Sequence, residues 1–183
     1  EPVDPAKDTR ISAGYYGVAV SPVDGSIWGS SLGFPGAVLR LDPGPDPAAT
    51  ALVEIYMLPW GDPDVALQGY SPRGMDIDRN GVVWTPLASG HMASFDRSKC
   101  TGRLNGPAAT GGHCPEGWTL YPEPAPQIKN LTESGSAESS YYTWVDQFNT
   151  LGLGDNVPIN TGNGSEGLLA LKDGEWVVLR VPY

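Results

Sequence analysis

The sequence predicts an all-β fold made of β-propeller-type repeats, present as an incomplete set of blades. The first observation is a repeated unit: residues 17–28 and 71–84 each hold a short apolar strand, a turn of Asp or Asn with Gly, and a second strand that carries a Trp. The second is that each copy is followed by a further apolar strand ending in an acid, at 38–42 and 92–96. A supersecondary unit of this length, repeated with Gly and Trp at fixed places, is typical of propeller blades.

The first blade-like unit is expected over residues 14–59, after a polar, proline-bearing N-terminal arm over 1–13. Its hairpin turns at 23–25, where Asp and Gly supply turn chemistry between two apolar strands. Residues 51–58 are apolar enough for an outer strand, which the following proline ends.

The second unit is expected over residues 70–126. Apolar and acidic side chains alternate over 75–78, the pattern of a half-buried strand. A short aromatic strand follows at 117–121, so the Cys-flanked insertion at 97–116 is expected between the third and fourth strands of this blade.

The third unit is expected over residues 141–183 as part of a blade. Its aromatic start, 141–148, suits a strand or one helical turn, and 149–167 is interpreted as a long Gly/Asn loop. A hairpin is clear at 167–181. Because a closed propeller needs roughly four to eight blades, we expect further blades of the same polypeptide, or a partner chain, to complete the ring.

Composition and charge exclude several classes of function. The net charge is −10, with 21 acidic residues against 11 basic ones, which argues against nucleic acid and anionic membrane surfaces as partners. No apolar run approaches the ~20 residues that a membrane span needs. Six Trp and eight Tyr indicate a folded chain. A processed polypeptide or a fragment would explain a chain that begins at Glu1.

The two cysteines, Cys100 and Cys114, flank a loop rich in Gly, Pro, Ala and Thr. A disulfide that closes a loop of this size contributes roughly 3 kcal/mol in the chain-entropy model, and it is our leading interpretation. Two free structural thiols, or a metal or redox role, are the alternatives. A disulfide implies an oxidising compartment, so we expect a secreted or periplasmic protein. Asn130 and Asn163 begin glycosylation sequons, whose use depends on the source.

Residues 71–84 and 16–28 resemble the blade repeat of the streptogramin lyase-like (virginiamycin B lyase-like) propellers, and the wider NHL-type and gluconolactonase-like propellers share it. The resemblance covers 14–96 well and 167–181 weakly. It implies a propeller fold and, for the lyases, elimination by histidines and an acid with a divalent metal. Arg73 and Tyr16 occupy the positions where the lyase repeats often carry a His. We therefore assign no catalytic residue.

Three side chains are candidates for ligand contact. Arg73 begins an inner strand, where it could hold an anionic ligand in the central channel or pair with Asp76. Trp60 and Trp144 lie in polar, loop-like surroundings, so we expect exposed rings that contact a glycan or a protein. Trp28 and Trp84, at equivalent repeat positions, are better explained by packing between blades.

Two metal sites are worth weighing. Asp76, Asp78 and Asn80, with Gly81, match the opening of a calcium loop, although the sequence lacks the bidentate acid of an EF-hand and an Asn-Gly turn explains the residues equally. His91 and His113 could join the cysteines around zinc, but the spacing fits no zinc module. We expect no obligatory cofactor, with a divalent cation as the one alternative.

These observations favour a secreted, non-catalytic binding or assembly module that contacts a protein or glycan partner through its loops. One alternative is a metal-dependent lyase or lactonase-type hydrolase whose catalytic residues lie outside this chain. Another is a structural subunit of an extracellular assembly.

Overall fold

The structure, a computed structural model, describes residues 13–61, 68–106, 109, 112–130 and 135–180. Within these ranges the fold is all-β, with three antiparallel four-stranded sheets. The arm predicted over 1–13 lies almost wholly outside the described residues.

Each sheet is a meander of consecutive strands and forms one blade. Blade 1 contains β1 (Val18–Val20), β2 (Ile27–Ser31), β3 (Ala37–Asp42) and β4 (Leu52–Met57). Blade 2 contains β5 (Asp76–Ile77), β6 (Val83–Leu87), β7 (His91–Phe95) and β8 (Trp118–Pro122). Blade 3 contains β9 (Thr143–Asp146), β10 (Val157–Gly162), β11 (Gly167–Lys172) and β12 (Glu175–Arg180).

Helix is confined to single turns in the described ranges. The helix α1 (Pro47–Thr50) lies between β3 and β4, and two 3-10 turns, Arg97–Lys99 and Pro115–Gly117, flank the insertion of blade 2. No helix in the described part of the chain is long and apolar enough to cross a bilayer.

Blades 1 and 2 pack through a single aromatic core. The rings of Trp28 and Tyr56 stack at 5.8 Å between centroids, and Tyr56 approaches Phe95 of blade 2 at 4.4 Å. Phe95 in turn contacts Trp118 at 4.9 Å. Trp28 therefore packs between blades, as the repeat predicts. Trp84 stacks on Tyr121 within blade 2, at 6.0 Å.

The inner strands of neighbouring blades come unusually close, and glycine makes this approach possible. A side chain at Gly17 would place its Cβ 2.8 Å from the backbone nitrogen of Met75. Gly74 repeats the arrangement one blade later: its N–H donates to the carbonyl of Tyr141, and its carbonyl accepts from Thr143. The Gly that opens each repeated strand is thus the residue that lets two blades meet at the backbone.

Blade 3 is a complete four-stranded blade, where part of a blade with a long loop over 149–167 was expected. The aromatic start of the third unit is the strand β9, and the presumed loop over 149–167 contains the strand β10. Pro158 and Asn160 are weak strand formers, so the local sequence resembles a loop. Pairing with β9 and β11 overrides this preference, and the Asn160 amide is held inside the sheet by the Thr143 hydroxyl, at 2.5 Å.

Candidate functional site

The three blades share an upper end, where β2, β6 and β10 end and β3, β7 and β11 begin. In a four-stranded meander the second connection and the link to the next blade fall on the same side, so these segments gather there. The first and third connections of each blade, including the β7–β8 insertion, lie at the opposite, lower end. Propeller loops of one side therefore form a common surface.

A group of three rings, which we call the aromatic platform, lies at the upper end, with Phe34 and Trp60 exposed and Tyr70 half-buried. Phe34 comes from the β2–β3 connection, and Trp60 and Tyr70 come from the link between blades 1 and 2. The Phe34 and Trp60 centroids are 5.0 Å apart, and Tyr70 lies 5.4 Å from Phe34 and 5.5 Å from Trp60. Trp60 keeps 38% of its surface accessible, so the prediction of a partly exposed ring agrees with its position.

A pocket of about 60 Å³ opens beside the platform. Its lining combines aromatic, amide, hydroxyl and imidazole groups from blade 2 and from the links on either side of it. The lining residues are Trp60, Gln68, Tyr70, Ala88, Ser89, His91, Gln127, Ile128, Gly135 and Ser136. This volume is well below the roughly 300–1,000 Å³ of a usual small-molecule site, so the pocket can take at most one group of a larger ligand.

His91 contributes a buried, neutral imidazole to this pocket. Its Nδ1 lies 2.9 Å from the hydroxyl of Ser89, which also accepts a hydrogen bond from the Tyr70 backbone at 3.2 Å. Burial lowers the pKa of His91 to about 4, so the ring is uncharged at neutral pH. The imidazole can therefore accept or donate a hydrogen bond there without bringing a charge.

Two buried carboxylates lie between blades 2 and 3. The Glu123 Oε1 accepts from the Ser140 hydroxyl at 2.6 Å and from the Asn160 amide at 2.7 Å. The Glu138 Oε1 accepts from the Gly164 N–H at 2.5 Å. Within the described ranges, the Oε2 atom of each has no hydrogen-bond partner. Burial raises the pKa of Glu123, and the nearby negative charge of Glu138 acts in the same direction.

Arg73 lies just before the inner strand of blade 2, and its partners lie in the link that leads into blade 3. Its guanidinium donates to the carbonyl of Ser140 at 2.9 Å and lies 4.1 Å from the ring centre of Tyr141. Asp76, the alternative partner, instead accepts from the backbone N–H of Val145 at 2.8 Å. Both side chains thus join blades 2 and 3.

The candidate calcium loop has the geometry of a turn. Asp78 is buried, and its Oδ1 accepts from the backbone of Asn80 at 2.9 Å and of Val82 at 3.0 Å. Its Oδ2 accepts from the Trp84 indole at 3.3 Å. These contacts favour the turn interpretation for Asp76, Asp78 and Asn80. Among the described residues, no group of three or more His, Cys, Asp and Glu side chains is placed to hold a metal ion.

Trp144 lies on a different surface from Trp60. It projects from β9 on the face of blade 3 that points away from blade 2, with 47% of its surface accessible. The two tryptophans predicted as ligand contacts are therefore exposed but do not form one site.

Several residues of the upper end were missed by sequence reasoning. One sequence signal could have pointed to Phe34 and Tyr70 as neighbours of Trp60. Each of the three aromatic residues lies next to a proline-containing turn at the upper end of a repeat. His91 was considered as a possible zinc ligand, with a surface or loop-packing role as the default, and no pattern singled out Glu123. These residues come together because the links between blades cross the upper end, and no local sequence pattern predicts the path of those links.

Comparison with known proteins supports the fold. A catalytically inactive virginiamycin B lyase from Staphylococcus aureus, solved with quinupristin, is similar at 15% identity with a TM-score of 0.56. The match covers 94% of this chain and 43% of that one. A streptogramin B lyase structure is similar at 14% identity and a TM-score of 0.44, over 96% of this chain and 57% of the other. The chain thus spans about half the length of these structures.

No protein-family profile matches the chain, and no curated protein matches it. The fold is that of a β-propeller with streptogramin lyase-like neighbours.

Proposed function

We propose that this chain is a non-catalytic binding module that holds a glycan at the upper end. The observation that carries this proposal is the aromatic platform beside a polar-lined pocket. The three rings are tilted by 51° to 82° against one another, so a sugar ring would stack on one ring face at a time, with Trp60 as the expected contact. Amide and hydroxyl groups of the pocket would provide the hydrogen bonds that orient it. The acidic chain, at a net charge of −10, disfavours anionic glycans, so the expected ligands are neutral oligosaccharides.

A secreted or periplasmic location accompanies this proposal. The disulfide between Cys100 and Cys114 supports it, because such bonds persist in oxidising compartments. A glycan-binding role outside the cytoplasm is consistent with that environment.

The proposal is tested by comparing how the unaltered protein and the variant Trp60→Ala bind neutral oligosaccharides. We expect isothermal titration calorimetry with cellohexaose, chitohexaose and xylohexaose to detect a ligand for the unaltered protein. Removing the Trp60 ring should weaken that binding by about tenfold, because one stacked aromatic contact contributes on the order of 1 kcal/mol.

Trp144→Ala is the matched control, because it removes a ring of similar exposure from another surface. Its affinity for the same oligosaccharide should stay unchanged. Equal losses in both variants, or no binding by the unaltered protein, would contradict a glycan site at the platform.

A metal-dependent lyase is the second candidate. His91 and Ser89 form a hydrogen-bonded pair in the pocket, and the neighbour with a TM-score of 0.56 is a lyase. Incubation with quinupristin and Mg²⁺, followed by mass spectrometry, separates the candidates. Turnover that His91→Ala abolishes would favour the lyase, and oligosaccharide binding without turnover favours the binding module.

A further inference from the structure

Three Asn-Gly pairs occur in the chain, at 80–81, 105–106 and 163–164. An asparagine followed by glycine is open to an intramolecular reaction, in which the backbone nitrogen of the glycine attacks the side-chain carbonyl carbon of the asparagine. Glycine permits this attack because it has no side chain to hinder the approach. The reaction forms a five-membered succinimide and releases ammonia. What surrounds each glycine N–H should therefore decide which of the three pairs reacts.

The pair at 163–164 lies in the turn between β10 and β11, at the upper end of blade 3. Asn163 also begins one of the two glycosylation sequons. Asn163 and Gly164 are both exposed, so water reaches the side chain and ammonia can leave it. Within the described ranges, the Asn163 carboxamide makes no hydrogen bond that would restrain it. The asparagine side chain is thus free to turn toward the backbone.

The N–H of Gly164 points at a buried carboxylate. It donates to the Oε1 of Glu138 at 2.5 Å, 26 residues earlier in the chain. Glu138 is 3% accessible, and the backbone N–H of Ser139 holds the same oxygen at 2.9 Å. A Cβ at Gly164 would lie 3.0 Å from this oxygen, so glycine lets the carboxylate come close. A fixed carboxylate within hydrogen-bond reach of the proton to be removed meets the geometric requirement for a general base.

At the pair 80–81 the glycine N–H meets a neutral acceptor instead. Gly81 donates to the backbone carbonyl of Asp78 at 3.0 Å. The Asp78 carboxylate accepts from the backbone N–H groups of Asn80 and Val82, at 2.9 and 3.0 Å. Because a carbonyl oxygen is too weak a base to remove the proton, we expect this pair to react slowly.

At the pair 105–106 the asparagine itself is held. The Nδ2 of Asn105 donates to the Oε1 of Glu54 at 2.6 Å, and Arg97 donates to the same oxygen at 2.7 Å. The Asn105 carboxamide is therefore not free to turn toward the nitrogen of Gly106. Both pairs serve as comparisons inside the same chain, with the same two residue types.

We propose that Asn163 deamidates spontaneously, with Glu138 as the general base. The nitrogen of Gly164 forms a bond to the Cγ of Asn163 while the Oε1 of Glu138 takes the N–H proton. The bond from Cγ to Nδ2 then breaks, and Glu138 returns the proton to the leaving nitrogen, which departs as ammonia. Water opens the succinimide to aspartate or isoaspartate at position 163. A neutral amide thus becomes a carboxylate, without any oxidant or reductant.

Peptide mapping by mass spectrometry, on protein kept at neutral pH over time, tests the proposal. Deamidation at position 163 should be at least about tenfold faster than at positions 80 and 105, since a positioned general base contributes about 10²-fold or more. Labelling by an isoaspartate methyltransferase should locate the isoaspartate product at the same position. In concentrated urea the three rates should converge, because unfolding removes the base from the Gly164 N–H.

Glu138→Gln removes the base and keeps the size of the side chain. It should slow deamidation at position 163 by at least about tenfold and leave the rates at positions 80 and 105 unchanged. A turn that was merely loosened by the change would react faster, so a base and a structural support give effects of opposite sign. Near-ultraviolet circular dichroism should show that the variant keeps its packing.

Glu123→Gln is the matched control. Glu123 is also 3% accessible, but its Oε1 accepts from Ser140 and Asn160, and among the described contacts none joins it to Gly164. This variant should deamidate at position 163 at the rate of the unaltered protein.

Three results would overturn the proposal. One is a rate at position 163 no greater than the rates at positions 80 and 105 in the folded protein. Another is a rate at position 163 that Glu138→Gln leaves unchanged or raises. The third is an equal loss of rate in Glu138→Gln and Glu123→Gln, which would assign the effect to the surroundings of both acids.

Discussion

Glu54 shows how a single buried side chain joins two blades. Its carboxylate accepts from the Arg97 Nε and Nη2, both at 2.7 Å, and from the Asn105 amide at 2.6 Å. Burial by itself would raise the pKa of Glu54, but the hydrogen bonds and charge of Arg97, with the Tyr56 hydroxyl, hold it below its usual value. The carboxylate thus remains charged and fully hydrogen-bonded inside the protein.

Glu54→Gln should lower the free energy of unfolding by about 2 kcal/mol, because the neutral amide loses the charge-assisted hydrogen bonds that Arg97 donates to the buried carboxylate. Urea unfolding measures the change. Asp155→Asn serves as the comparison, since its ion pair with Arg79 is exposed on both sides. That change should cost less than about 1 kcal/mol, and a similar cost in both variants would contradict the argument.

His91 makes stability depend on pH in a defined window. Its pKa is about 4 in the folded protein and about 6.5 when unfolded, so the unfolded chain binds the proton first. Stability should therefore be constant with respect to this group above pH 6.5 and fall as the pH drops toward 4, by up to roughly 3 kcal/mol.

The comparison of His91→Asn with the unaltered protein isolates this effect. Between pH 7 and pH 4 the free energy of unfolding should fall more steeply with decreasing pH in the unaltered protein than in the variant. The raised pKa of Glu123 acts in the opposite direction, because its contribution is lost as pH rises through the folded value, but it is common to both proteins. Parallel profiles would show that His91 is not buried as a neutral ring.

Among the elements, the insertion between β7 and β8 depends most on a covalent bond. The disulfide joins Cys100 to Cys114, as the loop composition predicts, and only short 3-10 turns flank it. The same insertion supplies Arg97 and Asn105 to Glu54. The disulfide therefore supports the blade 1–2 contact as well as its own loop.

Replacing both cysteines with serine should lower the free energy of unfolding by roughly 3 kcal/mol, the chain-entropy value for a loop of this size. Urea unfolding gives the magnitude. Reducing the unaltered protein should produce the same loss, and the double variant should not respond to reductant. A loss on reduction in the variant would assign the effect to another cause.

The strands differ in how visible they are in the sequence. Strands β1, β2, β5 and β6 follow the repeated unit, where alternation and turn glycines act together. Strand β10 does not follow that unit, and its sequence resembles a loop. Pro158 and Asn160 adopt strand structure because β10 pairs with β9 and β11. Trp60 was predictable as an exposed ring from its polar surroundings. The platform was not, since Phe34 and Tyr70 reach it through separate connections.

For the whole molecule, the repeat predicts blades, but the arrangement of side chains between them depends on packing. The upper end gathers the platform, the pocket and the paired Ser89 and His91, while the lower end holds the disulfide and the ion pairs of Glu54. The groups that stabilise the fold are thus separated from those proposed to bind a ligand. Changes at the platform should leave the stabilising contacts intact.

The pairing of Glu54 with Arg97 also has a consequence during synthesis. The ribosome completes blade 1 before it makes Arg97 and Asn105, and until then the charged partner of Glu54 among the described residues is Arg40, at 3.5 Å. Burying that acid early is unfavourable, so the nascent blade 1 gains its full packing only after the insertion of blade 2 has emerged. We therefore expect the first two blades to fold as a single cooperative unit.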